Sequence, residues 1–201
     1  MAKIIALGGN IASGKTAVSN ILRSLGAAIV DTDLIAREIV APFAPAWHSI
    51  VKEFGWEYIL PDNNIDRIKL GSLIFRDESA RKKLNAITHP LIREIAAEKI
   101  KKLGRDDTLK VIVIVIPLLF ESDFPIRYDA SWFVAADDEL RLSRLMERDG
   151  IDREKALIKI SAQMPQADKV KKADKVFYNN TDMDELKRTV TTEYNKLTEN
   201  I

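Results

Sequence analysis

Residues Gly9-Asn10-Ile11-Ala12-Ser13-Gly14-Lys15-Thr16 fit the spacing G-x-x-x-x-G-K-[ST] at every fixed position and follow directly on the apolar run Ile4-Ile5-Ala6-Leu7. Glycines in such a loop let successive backbone N–H groups turn inward onto phosphate oxygens. A lysine at the place of Lys15 reaches the β- and γ-phosphates, and a hydroxyl at the place of Thr16 enters the Mg²⁺ shell. A helix expected from Lys15 to about Leu25, with Ala17 in its first turn, aims its positive end at the same anion. The chemistry predicted for residues 9–17 is therefore binding of a nucleoside triphosphate with Mg²⁺.

Two acidic residues, Asp31 and Asp33, follow the next strand-like run two positions apart. In extended backbone such residues share a face. One could then accept a proton from an attacking hydroxyl, Asp33 being favoured as the further out, while Asp31 is a candidate for the Mg²⁺ shell. Either could equally cap a helix starting near Leu34. Arg141, Arg144 and Arg148 recur at helical spacing, which puts three guanidinia on one helix face. Beside a phosphate loop, such a cluster can close as a lid and stabilise charge on a transferring phosphoryl group. The interleaved Asp137, Asp138, Glu139, Glu147 and Asp149 fit a solvated, ion-paired face as well. His48 and His89 have no metal-ligand spacing, and His89 stands before Pro90 at an expected helix break. Trp47, Trp56 and Trp132 read as core or pocket wall.

These residues need a scaffold. Strand-like runs at 3–7, 28–30, 110–116, 131–135 and 175–178 alternate with amphipathic stretches at 17–25, 81–103, 138–148 and 184–197. That alternation predicts an α/β fold of the P-loop NTPase type, a five-stranded parallel sheet flanked by helices. The apolar stretch 111–120 is half a membrane span long and suits a strand buried on both faces. No strand is expected between about Val40 and Gly104, where helical periodicity is broken at Pro42, Pro45, Pro61 and Pro90. The chain thus divides into a nucleotide-binding core of residues 1–39 and 105–201, with a lid at about 138–160, and a helical insertion at 40–104. Ligands on open parallel sheets sit at the carboxyl ends of the strands, where the phosphate loop, Asp31/Asp33 and 117–121 all fall.

Composition narrows the class. With 31 basic and 30 acidic residues in 201, the net charge of +1 gives no global pull toward nucleic acid or anionic membrane. The chain has no cysteine, so no disulfide framework or thiolate zinc site, which agrees with a cytoplasmic location. The N-terminal apolar run is too short for a signal-peptide core.

The chain resembles dephospho-CoA kinases along nearly its whole length. The motifs, in order, are Leu7 to Thr16, Val30-Asp31-Thr32-Asp33-Leu34-Ile35-Ala36-Arg37, Phe54-Gly55, Ile65-Asp66-Arg67, Leu84-Asn85-Ala86-Ile87, His89-Pro90-Leu91-Ile92, Pro117-Leu118-Leu119-Phe120-Glu121, Arg148-Asp149-Gly150, Gln163-Met164, Lys172-Ala173-Asp174 and Asn179-Asn180. The resemblance implies ATP- and Mg²⁺-dependent phosphorylation of the ribose 3′-hydroxyl of dephospho-CoA, the last step of CoA synthesis. It implies Asp33 as base, Lys15 and Arg148 as catalytic partners, and Arg144, Arg148 and Asn180 around the nucleotide. Arg37, His89 and Pro117–Leu119 would line the acceptor site, making the insertion an acceptor domain. The family usually has glycine where this chain has Asn10 and Ala12; alanine tolerates positive φ poorly, so Ala12 is expected at negative φ. Other small-molecule kinases of nucleoside, nucleotide or shikimate type share the phosphate loop and lid, and a non-catalytic nucleotide-binding protein would have kept the fold and lost turnover.

Overall fold

The computed structural model describes residues 2–121 and 126–199. The chain divides into two compact units, one of residues 1–31 with 100–201 and one of residues 32–99.

The first unit is built on a five-stranded, all-parallel sheet in the order β2-β3-β1-β4-β5. Its strands are β1 (Lys3–Gly9), β2 (Ala28–Asp31), β3 (Val111–Val115), β4 (Ala130–Ala135) and β5 (Lys175–Tyr178). The register sets Leu7 beside Val115 and Trp132, and Val134 beside Phe177. Every residue of β3 is buried, which is why Val-Ile-Val-Ile-Val shows no alternation of apolar and polar. On one face Ile5, Leu7, Val113 and Trp132 pack with α1 (Lys15–Ser24) and α9 (Met183–Glu199) through Val18, Leu22, Leu186 and Val190. On the other face Ala6, Ile114 and Ile116 meet Leu119. The remaining helices of this unit are α6 (Asp138–Asp149), α7 (Arg153–Ser161) and α8 (Gln166–Lys172).

The second unit holds α2 (Thr32–Glu38), α3 (Pro45–Phe54), α4 (Arg67–Arg76) and most of α5 (Glu78–Leu103). Pro45 opens α3 at its first turn, where a missing N–H costs nothing. Asp66 caps α4 by accepting from the amides of Ile68 and Lys69. Buried Trp47 donates its indole N–H to the Asn63 carbonyl at 2.7 Å. The expected break at Pro90 is absent, since α5 runs through it for 26 residues. A proline removes one N–H and crowds one carbonyl, but here the helix on either side persists and buries Ala80, Ile92 and Ala96. His89 accordingly lies inside a helix. The division also falls at 31/32 and 99/100, so α2 and its side chains belong with the helical unit rather than with the nucleotide core.

Candidate active site

The phosphate loop leaves β1 at Gly9 and enters α1 through Gly14, whose φ of 94° only glycine adopts without strain. A side chain at Gly14 has no room either, because its Cβ would lie 2.0 Å from the Asn179 amide nitrogen. No side chain caps α1, and its first turn carries no acid. The positive end of the helix dipole is thus left uncompensated by any acidic side chain, which suits an anion. Lys15 and exposed Thr16 stand in that first turn.

The loop is held from behind by residues distant in sequence. Gln163 Oε1 accepts from the Ile11 amide at 2.8 Å, and Asn179 Nδ2 donates to the Ser13 carbonyl at 2.9 Å. Lys169, only 1% exposed, donates to Asn10 Oδ1 at 2.8 Å and pairs with Glu121. Glu121 Oε2 in turn accepts from the Met164 amide at 2.8 Å. A buried ammonium needs such partners to offset its lost hydration. Lys169 does not stand out as a site residue in the sequence, because it sits in an exposed-looking basic run.

Ala12 departs from expectation: its φ is +59°. The Ser13 amide donates to the Asn10 carbonyl at 3.1 Å, closing a turn whose third residue must take positive φ. The anchors at Asn10 and Ile11, and the packing of Ala12 with Leu142 and Leu145, over-determine that conformation. An L-residue there stores about 1–2 kcal/mol. Ala12→Gly is expected to recover up to ~1 kcal/mol of it, raising Tm by about 2–4 °C in calorimetry. A lower Tm would show that the methyl contacts outweigh the strain.

The three arginines of α6 share a helix but not a destination. Arg141 is 1% exposed and turned inward, its Nη1 3.3 Å from Gln166 Oε1 and 3.5 Å from Asp138. Unlike Arg148 it is therefore not part of an exposed guanidinium face. Arg144 Nη1 donates to the Asn179 carbonyl at 3.2 Å, next to the loop. Arg148 is 58% exposed and donates Nε to Asp149 at 2.8 Å. The α6–α7 hairpin is clasped by Asp149, which also takes Lys159 at 2.7 Å, and by the two-pronged Arg153–Glu139 pair. Hydrogen bonds from Arg148 and Lys159 hold the Asp149 carboxyl down to about 2, against an ordinary 3.8. A depressed acid stabilises the fold above its unfolded pKa and loses that contribution as pH falls through the folded one. The clasp is thus complete above about pH 4 and is lost toward pH 2. Asp149→Asn should flatten this acid dependence, read as hydrogen exchange of α7 amides against pH; an unchanged profile would place the acid sensitivity elsewhere.

Asn180 exchanges two hydrogen bonds with Asp137, at 2.8 and 2.7 Å, tying the loop after β5 to the start of α6. Its neighbour Asn179, buried, is the one that touches the phosphate loop. Asp31 closes β2 and Asp33 lies in the first turn of α2. The shared-face reading of Asp31 and Asp33 fails for that reason, since helical backbone begins at Thr32. Asp33 and Arg37 are exposed, one turn apart on α2. Pro117, Leu118 and Leu119 form the turn after β3, with Leu119 anchored in the sheet packing. His89 is held below its ordinary pKa by burial and by neighbouring Arg93, which keeps its imidazole neutral near pH 7.

A phosphate loop, a clasped helical hairpin beside it and a separate helical unit define a small-molecule kinase architecture, and the comparisons narrow it. The sequence model of the dephospho-CoA kinase family matches residues 3–185. The dephospho-CoA kinase of Geobacter sulfurreducens is 46% identical over 187 residues, covering 93% of this chain and 94% of that protein. The crystal structure of a Thermus thermophilus protein superimposes with TM-score 0.82 at 32% identity, covering 98% of both chains. The dephospho-CoA kinase of Campylobacter jejuni superimposes with TM-score 0.72 at 27% identity, covering 100% of this chain and 99% of that one. Among the described residues, no helix is long and apolar enough to cross a membrane. By motif order, fold and full-length similarity, the chain belongs to the dephospho-CoA kinase family.

Proposed function

We propose that this chain transfers the γ-phosphoryl group of ATP to the ribose 3′-hydroxyl of dephospho-CoA, giving CoA and ADP, in the cytoplasm. The observation that carries the reading is the uncapped, acid-free N-terminus of α1 behind a loop bearing Lys15 and Thr16, in a chain of this family. Residues Gly9 to Ala17 cradle the triphosphate, and Lys15 neutralises charge on its β- and γ-oxygens. Arg144 and Arg148 reach the phosphates from the hairpin, Arg148 by exchanging Asp149 for phosphate oxygen. Asn180 lies beside the adenine. The helical unit is the acceptor domain, with Asp33, Arg37 and His89 on the acceptor; Pro117, Leu118 and Leu119 are assigned to acceptor binding as well.

Asp33 takes the proton of the 3′-hydroxyl as that oxygen bonds to the γ-phosphorus. The bond from phosphorus to the β–γ bridging oxygen breaks, and its electron pair leaves on ADP. Among the described residues no group of three or more His, Asp or Glu is arranged to hold a metal. A Mg²⁺ ion here therefore depends on the triphosphate oxygens, with the Thr16 hydroxyl and Asp31 as protein partners. Held there, it would offset the negative charge of the triphosphate.

The test is incubation with ATP, Mg²⁺ and dephospho-CoA, with adenosine, AMP and shikimate as parallel acceptors, following ADP release. CoA formed from dephospho-CoA alone supports the reading. Turnover of another acceptor would make the chain a different small-molecule kinase, and ATP binding without turnover would make it a nucleotide-binding protein.

A further inference from the structure

The helical unit holds an open cavity of about 380 Å³, lined in part by His89. Its walls are apolar, with Ile50, Leu70, Ile74 and Leu84 among them. One stripe of α5 interrupts them, where Asn85, Thr88 and His89 follow at helical spacing and present uncharged donors and acceptors. Burial and Arg93 keep His89 neutral near pH 7.

Gly71 stands in the middle of α4 and lines the same cavity. Glycine is the poorest helix former after proline, so an interior glycine calls for a local reason. Its φ is not positive, and a Cβ built there meets nothing within 4 Å. Neither backbone conformation nor close packing requires it. What its missing side chain leaves is open space in the cavity.

The occupant is indicated by position. Ala36 lines the cavity three residues beyond Asp33 on α2, about 4.5 Å along the helix axis. Arg67 lines it too, and Arg37 is adjacent to Ala36. An acceptor whose ribose lies at Asp33 would have its 5′-diphosphate within reach of these guanidinia and whatever the diphosphate carries directed at the cavity. In dephospho-CoA that substituent is the pantetheine arm, a flexible chain of methylenes and a gem-dimethyl group punctuated by two amides and a hydroxyl. Apolar walls with a neutral polar stripe match that alternation, and a cavity of this size lies in the usual range for small-molecule sites.

We infer that Gly71 is a specificity-determining residue, keeping open in α4 the pocket that receives the pantetheine arm of the acceptor. The inference rests on the phosphotransfer reading above. Filling the space selects against the arm while leaving the nucleotide loop, in the other unit, untouched.

The experiment compares wild type, Gly71→Ala, Gly71→Leu and the surface control Ile68→Ala, whose side chain is exposed on the same helix, for Tm and for KM of each substrate. Gly71→Ala should raise Tm, as helix propensity dictates. Gly71→Leu should raise KM for dephospho-CoA about tenfold or more, the loss expected when a well-formed apolar contact is displaced, with KM for ATP and kcat within twofold of wild type and Ile68→Ala unaffected. Free pantetheine titrated into wild-type protein should shift the Gly71 and Asn85 amide resonances. A wild type that turns over dephospho-CoA while Gly71→Leu keeps the same KM, or pantetheine without effect on those resonances, overturns the inference alone. A wild type inactive on dephospho-CoA overturns the functional reading, and the inference with it.

Discussion

Asp33→Asn is expected to lower kcat for dephospho-CoA by ~10²–10⁴, the usual worth of a positioned general base, with ATP affinity unchanged. Asparagine keeps the size of the side chain and its place in the first turn of α2, so the acceptor can still dock. What it lacks is a basic oxygen to take the hydroxyl proton as the phosphorus–oxygen bond forms. On the proposed reading ATP is bound by the loop after β1 and by α1, elements of the other unit, and a nucleotide titration of the variant should superimpose on that of wild type. Steady-state rates with calorimetric ATP binding check both halves. Turnover within a few-fold of wild type would remove Asp33 from the role of base.

Lys15→Ala is expected to lower kcat by ~10²–10³, the cost of removing one preorganised charge from a transition state, and to weaken ATP binding as well. The two readouts separate this residue from Asp33. On the proposed assignment Lys15 would act on phosphate oxygens in both ground and transition states, so its loss should show in KM and kcat together, whereas Asp33 would act on the proton in flight. The fold should survive: Lys15 is only part-buried, and α1 is secured by Val18, Ile21 and Leu22. Intact ATP affinity and rate in a folded Lys15→Ala protein would refute the assignment of the phosphate cradle.

Much of this architecture was legible because it is local. The five strands follow from runs of β-branched residues between helix-length periodic segments, and β5 lies where its residue types place it. The phosphate loop depends on glycines at fixed offsets and on side chains within one turn of them, so spacing alone identifies it. Where local rules compete, spacing does not decide. Pro90 reads as a helix break, yet the surrounding α5 is held by burial of Ala80, Ile92 and Ala96, and tertiary packing outweighs one lost hydrogen bond. Asp31 and Asp33 read as one extended segment because nothing in their residue types shows that β2 ends one residue before helix begins.

The charged interior marks the boundary more sharply. Arg141 and Lys169 look like solvated surface residues among other charges, and each is 1% exposed. Lys169 is inside because Asn10, 159 residues away in sequence, and Glu121 supply the partners that offset its desolvation. Ala12 takes positive φ because Gln163, Lys169 and α6 hold the loop around it. The sequence by itself determined the order of elements, the parallel sheet and the identity of the phosphate loop, since these rest on residue type and short-range spacing. Only the tertiary structure decided which charges are buried, that Asp33 stands on a helix of the second unit, and that Gly71 lines a cavity, because each depends on contacts between segments that chain periodicity does not connect.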